Sequence, residues 1–154
     1  MSTAVVAVVA AYGARTEADR RVLPGALEAL RTFRELGIRL ALVTNGSAEV
    51  QRAKIERFGL APLFDTIVVE GELGVGKPEP AIYSHALASL GASAMDAWMV
   101  GDNLEWDVVA PRKLGLRGIW IAKAGEVRTK HELADAILPD LPALAELLAS
   151  MAPH

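Results

Sequence analysis

The sequence predicts an α/β domain, a doubly wound parallel sheet with helices on both faces. Short apolar runs rich in β-branched residues alternate with segments of helical periodicity along the whole chain, the pattern of repeated strand-helix units. The runs are continuously apolar rather than alternating, as in strands buried on both faces. Glycines close the helical segments at Gly37, Gly59, Gly91 and Gly115, each before the next apolar run.

Ala4 to Val9 is β-branched and unbroken, so it reads as a buried strand, with an Ala-rich helix as the competing reading. Residues 13 to 21 are polar and charged, a surface connection. Leu23-Pro24-Gly25 opens a helix with apolar Ala26, Leu27, Leu30, Phe33 and Leu36 on one face. Ile38 to Val43 is the next strand, ending in Thr44-Asn45-Gly46, and Ser47 can cap a helix with apolar Val50, Ala53, Ile55 and Phe58. Phe64 to Val69 is a strand, and a Gly-rich loop from Gly71 to Gly76 leads to Lys77. Pro80 opens a helix over Ala81 to Leu90, and Ala97 to Val100 is a strand. The helix over 105–114 contains Pro111, which should bend it or mark a late start. Leu116 to Ile121 and Ala136 to Leu138 are strands, Lys123 to Glu132 a surface loop, and Pro142 to Met151 a last amphipathic helix.

At 154 residues and 52% apolar, the chain suits a single domain with a large core. A net charge of −3 without a long basic run argues against nucleic acid or an anionic membrane as partner. Lacking cysteine, the chain has no disulfide, zinc-thiolate or thiol chemistry, and a cytoplasmic setting is expected. Ala4 to Ala11 lacks the basic residues that precede a secretory segment, and no apolar run is long enough to span a membrane. A homodimer is compatible with these totals.

Three strand ends carry polar groups, and in a parallel sheet these ends share one edge. The Thr44 hydroxyl and the backbone N–H groups of Asn45 and Gly46 can bind phosphate oxygens. Lys77 can offset the charge of a phosphoryl group, and Asp102 with Asp107 can hold Mg²⁺. Each also has a plainer reading: Thr44 caps a turn, Lys77 is a solvated loop lysine, and the two Asp residues cap a helix and meet its dipole. Trp98, Trp106 and Trp120 read as packing in core or crevice.

Together these segments resemble the haloacid dehalogenase (HAD) superfamily core over residues 22 to 122. Leu23-Pro-Gly-Ala-Leu-Glu-Ala-Leu30 resembles its usual entry, and Leu42-Val-Thr-Asn-Gly-Ser47 its second motif. Gly74-Val-Gly-Lys-Pro-Glu-Pro-Ala-Ile-Tyr83 resembles the third motif and Val100-Gly-Asp-Asn-Leu-Glu-Trp-Asp107 the fourth. The resemblance implies a Rossmann-like core with little or no cap, acting as a Mg²⁺-dependent phosphatase of small phosphorylated metabolites. Thr44 and Lys77 would be its catalytic residues on the phosphoryl group, and Asn45 and Gly46 would bind substrate. Asp102 would ligate Mg²⁺, and Asp107 would support the metal or orient Lys77.

The same resemblance calls for a nucleophile, the first Asp of an Asp-x-Asp motif ending the first strand. This sequence contains no Asp-x-Asp. Glu17 and Asp19 have that spacing but lie in a polar stretch. Either the first strand has lost its acids, or the chain is a truncated homologue whose residues Val9 to Glu17 resemble the last helix of a cap. The second is favoured for ancestry. In both cases an apolar segment should fill the central strand slot, because an empty slot leaves neighbouring strand edges unpaired. The expected function is therefore that of a catalytically impaired relative with weak or no Mg²⁺ binding. The alternative is a non-catalytic module that binds phosphate or a protein, or a fragment of a longer phosphatase.

Overall fold

The computed structural model describes residues 6–10, 25–122 and 131–151, and for residues 6–10 and 131 it describes the backbone. Among them, six strands form one parallel sheet: β1 (Val6–Ala10), β2 (Arg39–Thr44), β3 (Thr66–Val69), β4 (Ala97–Gly101), β5 (Arg117–Ile121) and β6 (Ala136–Leu138). Their order is β3-β2-β1-β4-β5-β6, the doubly wound arrangement the sequence predicts.

The apolar N-terminal run takes the central slot. Val6–Ala10 pairs with Arg39–Val43 on one side, and Val6–Val9 pairs with Ala97–Val100 on the other. Val9 and Ala10 are strand, so no cap-type helix starts at Val9. The rest of that stretch, the polar connection of 13–21, and the residues Glu17 and Asp19 within them lie outside the described residues, as do residues 123–130 of the surface loop.

Alternation along each strand divides the core into two layers. Leu40, Leu42, Trp98, Val100, Ile119 and Ile121 face α1 (Ala26–Glu35), Ile55 of α2 (Ala48–Arg57) and α6 (Leu141–Met151). Ala41, Val43, Ala97 and Met99 face α4 (Pro80–Leu90). Ser47 caps α2 through its hydroxyl, which accepts the Val50 N–H at 3.2 Å. Three residues counted by periodicity into apolar faces are exposed: Leu36 lies past the last turn of α1, and Val50 and Ala53 lie on a helix that buries only Ile55.

Two local departures bear on function. The predicted Gly-rich loop opens with a one-turn helix, α3 (Glu70–Leu73). The predicted helix over 105–114 divides into a π-helical stretch, Glu105–Val109, and a short α5 (Ala110–Lys113). An α-helix through this point needs the residue-111 N–H to bond the Asp107 carbonyl, and Pro111 has none. The ladder shifts instead, and the Ala110 N–H bonds the Glu105 carbonyl, five residues back. No helix among the described residues is long and apolar enough to cross a membrane.

Candidate functional site

The winding direction of the sheet reverses between β1 and β4. In open parallel sheets the crevice outside the carboxyl ends of the strands at such a reversal is where ligands bind. β2 brings Thr44 to this edge, followed by Asn45 and Gly46, and β4 brings Gly101 and Asp102. The strand between them, β1, ends in Ala10, which pairs with Val43. Among the described residues, the polar or charged ones that are buried are Thr44 (4% exposed), Lys77 (8%) and Asp107 (1%). Buried polar groups need partners, and each of the three has one.

Lys77 Nζ donates to Asp107 Oδ1 at 2.9 Å, and the other oxygen, Oδ2, accepts the Asn103 N–H at 2.9 Å. Asp107 reaches this position because Asn103 folds the π-helical stretch. The Asn103 side chain accepts the Trp106 N–H at 2.9 Å, and its carbonyl accepts the Asp107 N–H at 2.8 Å. The helix start is thus capped by Asn103, one residue beyond the Asp102 expected from sequence. Tyr83 braces the same stretch from α4, donating its hydroxyl to the Trp106 carbonyl at 2.6 Å. Burial pushes the Asp107 carboxyl above its ordinary range, with the charge of Asp102 acting in the same direction. The Lys77 ammonium and the Asn103 amide pull it down without overcoming that effect. Burial also holds the Tyr83 phenol well above its ordinary value, and the charges of Asp107 and Glu105 add to it.

The loop after β2 is joined to the loop before α4. Asn45 Oδ1 accepts the Lys77 N–H at 2.8 Å, and Asn45 Nδ2 donates to the Lys77 carbonyl at 2.9 Å. The Gly46 N–H donates to Glu70 Oε1 at 2.8 Å, and the Gly46 carbonyl accepts the Gly71 N–H at 2.9 Å. Gly46 has φ +120°, and a Cβ there would come within 2.8 Å of Gln51 Nε2, so the turn requires glycine. The Thr44 hydroxyl donates toward Gln51 Oε1 at 3.1 Å, with the Asn45 carbonyl at 3.3 Å. Glu70 also packs over Gly76, where a Cβ would sit 2.3 Å from Oε2.

The fold therefore pairs Lys77 with Asp107 in a buried ion pair, ties the Lys77 backbone to Asn45, the neighbour of Thr44, turns the Thr44 hydroxyl toward Gln51, and places Asp102 directly after β4. The Gly46 N–H, expected at substrate, is engaged with Glu70, and the Asn45 side chain, for which no role was expected beside its backbone N–H, bonds Lys77. Asn103, Tyr83, Gln51 and Glu70 were not anticipated. Asn103 was readable as a cap three residues before Trp106, whereas nothing local in sequence marks Glu70. Trp98 and Trp120 are core residues, and the Trp120 indole donates to the Asp102 carbonyl at 3.2 Å.

Chemically, this edge carries an ammonium, held by Asp107, and a hydroxyl, turned to Gln51, both of residue types suited to an anion. Mg²⁺ requires a near-octahedral set of oxygens. Both Asp107 oxygens are engaged by Lys77 and Asn103, and among the described residues no three of His, Cys, Asp and Glu come together as a metal-holding group.

Residues 2–115 match the family of haloacid dehalogenase-like hydrolases. A phosphoserine phosphatase of Thermus thermophilus is 41% identical over 98 residues, covering 64% of this chain and 39% of that enzyme. The N-acylneuraminate-9-phosphatase of Mus musculus is 36% identical over 137 residues, covering 85% of this chain and 55% of that enzyme. The crystal structure of a HAD phosphatase from Thermococcus onnurineus matches with a TM-score of 0.77 at 31% identity, over 83% of this chain and 58% of that one. The chain spans about half the length of the curated relatives it matches.

Proposed function

The chain belongs to the haloacid dehalogenase-like hydrolases, and from that premise we propose that it binds the phosphoryl group of a small phosphorylated metabolite at the carboxyl edge of its sheet, with covalent turnover largely lost. The observation that carries this reading is the buried pair of Lys77 with Asp107, linked through Asn45 to the end of the strand that bears Thr44. A buried lysine delivers a compact positive charge to a phosphoryl oxygen, and a hydroxyl adds a directional donor. Asp107 holds that lysine in place. The two phosphatases named above support the substrate class.

The loss of turnover rests on Ala10. The strand lying between those of Thr44 and Asp102 ends in a residue without an attacking oxygen, and phosphoryl transfer through a covalent intermediate needs one. The family match begins at residue 2 and so includes β1, which supports reading β1 as the family's own first strand with its acids replaced. In a serine protease, removing the nucleophile costs about six powers of ten in kcat.

The test pairs binding with turnover. Inorganic phosphate should raise the thermal midpoint, and this protection should be much smaller in Lys77→Ala. An aryl phosphate supplied with Mg²⁺ should turn over no faster in the wild type than in Asp102→Ala. Absence of phosphate protection would sink the binding site. Brisk hydrolysis abolished by Asp102→Ala would sink the impairment.

A further inference from the structure

We propose that Asn45 is the positioning residue for Lys77: its side-chain amide grips both backbone polar groups of Lys77 and so fixes where the ammonium is delivered. This rests on the reading of the edge as a phosphoryl site. The spacing of the motif puts Asn45 among the groups that would meet the anion, yet its side chain is turned to another task. Oδ1 takes the Lys77 N–H at 2.8 Å and Nδ2 gives to the Lys77 carbonyl at 2.9 Å, a two-point contact with a single residue.

A simple staple between loops would not need this arrangement. The two loops are already joined by the Gly46 N–H on Glu70 and the Gly71 N–H on the Gly46 carbonyl. The Asn45 contacts go instead to the one residue of the loop whose side chain carries the buried charge. The chemistry also selects the residue type. Asparagine has an acceptor and a donor on one short planar fork, whereas aspartate lacks the donor and serine lacks the span. Lys77 is thereby held at both ends, at its backbone by Asn45 and at its tip by Asp107 on the π-helical stretch. A flexible four-carbon stem then has little freedom left between two fixed points.

The experiment is a double-mutant cycle read by two methods. Inorganic phosphate is titrated calorimetrically into the wild type, Asn45→Ala, Lys77→Ala and the double variant. Separately, reductive methylation of each lysine is followed by mass spectrometry, with exposed Lys113 as the reference. Asn45→Ala should weaken phosphate binding about tenfold or more, and should add almost nothing in the Lys77→Ala background. Lys77 should be protected from methylation in the wild type and react like Lys113 in Asn45→Ala, while Lys113 is unchanged. Additive losses in the cycle, or a Lys77 that stays protected without Asn45, would overturn the proposal. If Asn45→Ala does not fold, Asn45→Asp keeps the acceptor and loses the donor, and should shift both readouts the same way by less. A wild type that binds no phosphate defeats the phosphoryl-site reading. The methylation pattern then still decides whether Asn45 holds Lys77.

Discussion

Lys77→Met removes the ammonium and keeps the length of the stem, so its main effect falls on Asp107. In the wild type, burial already pushes the Asp107 carboxyl up against the pull of Lys77. Without that pull it rises further. The penalty has a ceiling, because a buried carboxyl that cannot stay ionised takes a proton. The cost of that proton, relative to an unfolded chain whose carboxyl has its ordinary value of 3.8, grows by about 1.36 kcal/mol per pH unit. The ceiling is therefore about 4 kcal/mol at pH 7 and about 1.5 kcal/mol at pH 5. The neutral-pH figure agrees with the roughly 3–5 kcal/mol lost when one partner of a buried pair is removed. The sign follows from linkage. A folded-state value raised above the unfolded one contributes stability at low pH, which is lost as pH rises from the unfolded towards the folded value. Urea unfolding at pH 5, 6 and 7, with m held common, should show the deficit of Lys77→Met widening with pH. Lys77→Met with Asp107→Asn should recover much of it at pH 7, since no charge remains buried and the Asn103 N–H keeps an acceptor. A deficit that is flat with pH, or greatest at pH 5, would refute the argument that Asp107 is the group left exposed to the loss.

Tyr83 should give no phenolate signal in a Tyr12→Phe background until the protein unfolds, because its value is held well above the ordinary 10.0. Its contribution to stability is complete below that value and is lost as pH rises through the folded one, so Tyr83→Phe should remove this alkaline sensitivity. The same substitution costs about 1 kcal/mol at neutral pH, through the lost bond to the Trp106 carbonyl. Gly118→Ala would place a Cβ 2.9 Å from Val108 Cα and 3.1 Å from the Val108 carbonyl oxygen, and Val108 follows Asp107 directly. A cost of about 1–3 kcal/mol is expected, seen as a lower thermal midpoint, together with weaker phosphate binding as the π-helical stretch is pushed off Lys77. Glu72 is held below its ordinary value by its hydrogen bond from Arg52, so its contribution is present above that value and lost as pH falls through the lower one. Glu72→Gln should therefore flatten only the acid limb of the stability profile, and added salt should erase the difference, since the pair is solvent-exposed.

What was legible in sequence follows from what is local. Strand runs such as Ile67-Val68-Val69, the Ser47 cap and the glycines after helices declare themselves within a few residues, and the elements they predict are present within one or two residues at most ends. The placement of Thr44 and Asp102 at one edge was readable because a parallel sheet gathers the ends of its strands there. The engagement of Asn45 and Gly46 was not readable. It depends on the loop before α4 lying against the loop after β2, a contact between residues more than 20 positions apart that no local pattern encodes. Pro111 marked a disturbance in its helix, but that the disturbance is a π-helical stretch aiming Asp107 at Lys77 needed coordinates.

The central strand shows why fold and chemistry can separate in such a chain. The demands on β1 are that it be extended, apolar and paired on both edges, and Val6–Ala10 meets them with an alanine at its end. An acid at that end would add nothing to the pairing, and burying its charge would cost free energy unless a cation or metal compensated. On the other side of the edge, Lys77 is neutralised by Asp107 and Asp107 is further bonded to Asn103, so the remaining cluster is satisfied without a partner from β1. A first strand that ends without an acid thus leaves neither an unpaired strand nor an unpaired charge on Lys77 or Asp107. On the proposed reading, an anion entering this edge would meet a lysine whose charge is already shared with Asp107, and its affinity would depend on how firmly Asn45 and the π-helical stretch hold that lysine in place.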